Sequence, residues 1–147
     1  MVRYDEFINT VELFTTTNHY FKGFGHGSID KIDAAVNRGY PLLFVRPIQS
    51  FGLTGIDGRE RRLTFEFYSL DVPKLGDEDM RKVLSNTEQG LYDLFGYILD
   101  GPVQYSLQME MVSITPLVEA FQDKAAGWVM TASIVTDAVG ISYCEIA

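Results

Sequence analysis

The sequence predicts one α+β domain: an antiparallel β-sheet of about four strands with helices packed on one face. Three observations predict it. Residues 4–16 repeat apolar side chains at helical spacing. Residues 63–68 and 103–111 repeat them at every second position, as half-buried strands do. The strand-like runs come in consecutive pairs, which short connections join as antiparallel hairpins. A chain of 147 residues that is 46% hydrophobic and 13% aromatic fills one ordinary core, so residues 1–147 read as a single domain.

In YDEFINTVELFTT (4–16), Tyr4, Phe7, Ile8, Val11 and Phe14 form one stripe, and Asp5 and Glu6 suit a helix N-terminus. The Thr15–Thr17 run and Asn18 end that helix. KGFGHGSIDK (22–31) then places glycines at 23, 25 and 27 ahead of a short helix over 28–38, capped by Ser28 and stopped by Gly39 and Pro41. The first strand is PLLFVRPI (41–48). After it, Gly52, Gly55 and Gly58 mark a loop over 50–62, with Arg59, Arg61 and Arg62 at its tip. Leu63, Phe65 and Phe67 alternate with Thr64, Glu66 and Tyr68 in the returning strand. Within residues 74–100, Ser85 and Glu88 fit a capping box, and Leu91, Leu94, Phe95 and Ile98 supply the apolar face of a helix that Asp100, Gly101 and Pro102 stop. VQYSLQMEM (103–111) is a strand with Tyr105 and Leu107 inward, and Pro116 breaks the pattern after it. GWVMTASIVT (127–136) is the next strand and ISYCEI (141–146) an extension.

The net charge of -8 argues against a phosphate-gripping face. No apolar run approaches the roughly 20 residues of a membrane span, and the acidic N-terminal stretch does not read as a signal peptide. A single cysteine, Cys144, excludes an intrachain disulfide and a thiolate zinc cluster and fits a reducing compartment.

Candidate chemistry fades residue by residue. GFGHG lacks the lysine of a phosphate-binding P-loop, and its G-x-G-x-G spacing follows a helix, not a strand. A bend between helices that binds no nucleotide is expected, using glycine's access to positive φ. His19 and His26 share no metal-ligand spacing. Cys144 has no nucleophile turn beside it and reads as a small buried hydrophobe. Glu66, Asp71, Asp93 and Asp123 are flanked by apolar residues, yet no spacing singles out an acid–base pair. Trp128 reads as a core anchor beside Gly127, with Phe65, Phe67, Leu94, Tyr105 and Leu107 as core partners. Gly58, Arg59, Arg61 and Arg62 form either a solubilising turn or an arm that meets a partner, since arginine is enriched at interfaces. No catalytic residue, cofactor or metal is expected.

The succession YPLLFVRP (40–47), RLTFEFYSLDV (62–72), LSNTEQGLYDLFGYI (84–98), PLVEAFQDKAAGWVMTASIVT (116–136) and Cys144 resembles small structural proteins of tailed bacteriophages. It is most similar to the tail-completion or tail-terminator kind in phages of Bacteroidetes, including the crAss-like group. The resemblance implies a tail-terminator-like α+β protomer and no chemistry. It implies a homo-oligomeric ring, hexamer or dodecamer, at the neck or tail of the virion. Portal, neck or tail proteins would be its neighbours, and DNA would pass without specific binding. In such rings sheet edges and hairpin loops commonly make the contacts, which gives the 50–62 loop a role. An acidic lining fits a DNA channel, because like charge keeps the polymer from sticking. The alternatives are a small α+β ligand- or protein-binding domain outside a virion, and an enzyme working through carboxylates.

Overall fold

The computed structural model describes residues 4–28, 31, 39–54, 60–74, 76–100, 108–120 and 124–137. Along the chain these form α1 (Tyr4–Thr17), β1 (Gly23–His26), β2 (Leu42–Thr54), β3 (Glu60–Asp71), α2 (Gly76–Asp100), β4 (Gln108–Ala120) and β5 (Ala125–Asp137). The strands make one sheet in the order β1-β2-β3-β5-β4. The pairs β2–β3, β3–β5 and β5–β4 are antiparallel, so the α+β class and the four antiparallel strands agree with the sequence reading. The short helix over 28–38 and the extension at 141–146 lie outside the described residues, apart from Ser28 and Lys31.

The fifth strand corrects that reading. GFGH is not a bend: it pairs parallel with β2, Gly23 against Leu42 through His26 against Val45. Gly23, Phe24 and Gly25 are all buried. The ladder is anchored where the Lys22 and Gly23 N–H groups share the Pro41 carbonyl, at 2.9 and 3.2 Å, and Gly27 N–H reaches Val45 O at 3.1 Å. Gly27 then turns the chain at φ 135°, a region that L side chains rarely adopt.

In α1 the predicted stripe faces inward, with Phe7, Val11 and Phe14 buried. The hydroxyls of Thr15, Thr16 and Thr17 donate to carbonyls three or four residues back, competing with continuation of the helix. Asn18 Oδ1 accepts the Tyr20 N–H at 2.9 Å and turns the chain toward β1.

Helix α2 begins earlier than Ser85, so Ser85 and Glu88 lie mid-helix and form no capping box. Around residue 84 the helix is fixed from outside: Val83 is buried and the Leu84 carbonyl accepts the Trp128 indole N–H at 2.7 Å, while Thr87 Oγ1 donates within the helix to Val83 O at 2.6 Å. Ahead of the helix, the Lys74 N–H donates to the Asp79 carboxylate.

Two prolines sit inside strands. Pro47 lies beyond the last β1 partner, Val45, so among the described residues no strand pairs with β2 there on that side. Pro116 does not end its strand: β4 runs through it to Ala120, opposite Trp128. Among the described strands β4 is an edge, where a residue without an N–H costs no ladder bond on the open side.

One face of the sheet, carrying Val45, Phe65, Phe67, Met130, Ala132 and Ile134, packs under both helices in one apolar cluster. Phe7 stacks on Phe65 with ring centroids 4.9 Å apart. Each such buried ring contributes on the order of 1.5–3 kcal/mol. The other face splits in two. Leu42, Phe44, Tyr68 and Leu70 form a smaller cluster, and beyond it runs a polar ladder. There Arg46 meets Glu66 at 2.6 Å, Thr64 meets Ser133 at 3.0 Å and Arg62 meets Glu110 at 3.3 Å. Gly127 is required where β5 meets β3: a Cβ there would lie 1.8 Å from the Ser69 carbonyl oxygen.

Candidate functional site

The arginine segment divides. Arg61 and Arg62 stand in β3, not at a loop tip, because the backbone ladder starts at Glu60 and pairs Arg61 with Leu53 and Arg62 with Gly52. The Arg62 guanidinium donates to Glu110 of β4. Gly58 and Arg59 lie outside the described residues, as do Tyr105, Leu107, Asp123 and Cys144. Phe65, Phe67 and Leu94 are fully buried. Trp128 is half-buried, packed on the main core and held by its bond to Leu84.

The predicted titratable residues are dispersed. His19 is exposed. His26 Nε2 lies 2.5 Å from the Tyr4 hydroxyl, with the rings edge to face. Partial burial, aided by Lys31, lowers the His26 pKa. Burial, aided by Asp5, raises that of Tyr4. Glu66 is engaged by Arg46, whose pKa is raised by the Tyr68 hydroxyl and by the Glu66 charge. Asp71 Oδ1 accepts the Val72 N–H at 2.8 Å. Among the described residues no group of three or more His, Cys, Asp or Glu converges as a metal site. No described helix is long and apolar enough to cross a membrane.

Two surface features offer a partner something to hold. The first is the β4 edge, with Val112 65% and Val118 56% exposed. An edge strand presents unpaired backbone groups, a template for another chain. The second is a groove of about 400 Å³ between the C-terminal end of α1 and the outer side of α2. Phe14, Tyr92 and Tyr97 line it with Asp93, Gly96 and Asn18. A Cβ on Gly96 would meet nothing within 4 Å, so the glycine leaves the groove open. The Gln89 side chain donates to Asp93 Oδ1 at 2.8 Å.

The sequence signal for the groove was faint. Asp93 stands out as a carboxylate among apolar neighbours, while Tyr92 and Gly96 fall off the apolar face and join Phe14 only through helix packing. The edge gave no signal, because strand order is not local information. Compared with protein-family models and with curated proteins, the chain gives no match.

Proposed function

We propose that this chain is a structural virion protein of a tailed bacteriophage. It assembles with copies of itself into a ring at the neck or tail, as a tail terminator, tail-completion protein or head–tail connector, and it carries out no chemistry. The observation that carries the reading is the β4 edge. Among the described strands it is an edge 13 residues long that exposes Val112 and Val118 at its two register shifts and carries no lysine, with Pro116 removing one backbone donor from it. A head-to-tail contact through such an edge closes into a ring when the rotation fits. The resemblance of the chain from YPLLFVRP onward supports the same reading, as does a net charge of -8 for a channel that DNA must slide through.

Native mass spectrometry across a concentration series tests it. The expected result is a discrete hexamer or dodecamer. A monomer at every concentration overturns it and favours a second reading, for which the helix groove speaks: a small α+β domain that binds a ligand or protein partner outside a virion.

A further inference from the structure

We propose that the contact between Tyr4 and His26 is an acid-released latch: it holds the first turn of α1 on the end of β1 at neutral pH and opens when His26 takes up a proton. The proposal does not rest on the ring reading.

The two residues close a junction between elements. Tyr4 is the first residue of α1 and His26 the last of β1. His26 stands opposite Val45 at the end of the parallel ladder and is the exposed residue of its strand. The Tyr4 ring lies over Phe65 with centroids 5.8 Å apart and meets the imidazole edge to face at 5.6 Å. The hydroxyl lies 2.5 Å from Nε2. In the latched state the phenol donates to an unprotonated Nε2, and the imidazole proton stands on Nδ1. Burial supports this assignment on both sides, since it keeps the phenol protonated and disfavours the imidazolium.

Protonation turns Nε2 into a donor facing a donor and places a second cation beside Lys31. The Lys31 side chain lies across Gly27, next to His26: a Cβ on Gly27 would be 3.1 Å from its Cδ and 3.9 Å from its Nζ. The Lys31 charge already acts against a charged His26. The other charged groups nearby among the described residues are Asp5 on α1, whose charge acts on Tyr4, and Arg46 on β2, which Glu66 holds on the opposite face of the sheet. The folded state therefore binds a proton at His26 less readily than the unfolded chain, whose imidazole titrates at about 6.5. The latch weakens as pH falls through that value.

Two measurements test this. An NMR titration in a His19→Gln background follows His26 alone. Amide hydrogen exchange, corrected for intrinsic rates, reads residues 8–11, whose helical bonds end on the carbonyls of residues 4–7. The expected His26 midpoint lies below 6.5, and Lys31→Met moves it upward. Exchange at residues 8–11 is expected to be about threefold or more faster at pH 5 than at pH 7. In His26→Gln it should not depend on pH, and in Tyr4→Phe it should be fast at both values. A wild-type midpoint at or above 6.5, or equal exchange at the two pH values, overturns the latch. A pH response that survives in His26→Gln overturns it too, by assigning the response to another group.

Discussion

Tyr20 shows how one atom sets a measurable property. Its hydroxyl is buried and has no hydrogen-bond partner among the described residues, while its ring packs edge to face on Phe21 at 4.9 Å. Burial, with a smaller contribution from the Asp71 charge, raises its pKa well above the ordinary value. The unfolded chain ionises this phenol near pH 10 and the folded one does not. The folded state therefore holds the proton that the unfolded state releases, and stability falls as pH rises through about 10. Tyr20→Phe is expected to stabilise the protein by about 1 kcal/mol at neutral pH, since it removes an unsatisfied polar atom. It should also flatten the alkaline fall. Urea unfolding at pH 7 and at pH 10.5 measures both. A variant that is less stable at pH 7 would mean that the hydroxyl has a partner in solution.

Helix α2 offers a matched pair at the scale of an element. Gly90 and Gly96 both sit inside it, where glycine costs roughly 0.5–1 kcal/mol relative to alanine. A Cβ at Gly90 would come within 2.7 Å of the Phe21 ring, which is itself buried against Phe14 and Tyr20. At Gly96 it would meet nothing. Gly96→Ala is therefore expected to stabilise by roughly 0.5–1 kcal/mol. Gly90→Ala should destabilise by about 1–3 kcal/mol, because overpacking outweighs propensity. Denaturant midpoints of the two variants check the signs, and equal signs would refute the packing of α2 on Phe21. Much of this element was legible: Leu91, Leu94 and Ile98 mark its buried face at helical spacing. Its start was not, because Ser85 and Glu88 carry a capping signature that the docking of Trp128 on Leu84 overrides.

For the whole molecule, the sheet formed by the described strands has two unlike ends. β1 is a four-residue edge with three residues buried, and β4 is a 13-residue edge with two exposed valines. Lysines at both valines, Val112→Lys with Val118→Lys, should leave the fold intact and abolish the oligomer that the ring reading expects in native mass spectrometry, since an edge lysine blocks strand addition. An unchanged oligomer would remove β4 from the interface. The sequence by itself determined the amphipathic face of α1, the alternation of Leu63, Phe65 and Phe67, the pairing of strands as hairpins and the acidic balance of the chain. Each of these is a local period or a sum, readable without knowing what lies across the fold. Only the tertiary structure decided the parallel pairing of GFGH with β2, the passage of β4 through Pro116, the capture of Arg62 by Glu110 and the groove beside Asp93. Those depend on contacts between residues far apart in the chain. Their energies arise from cross-strand pairing, packing and charge between separate elements, which no periodicity within one segment records.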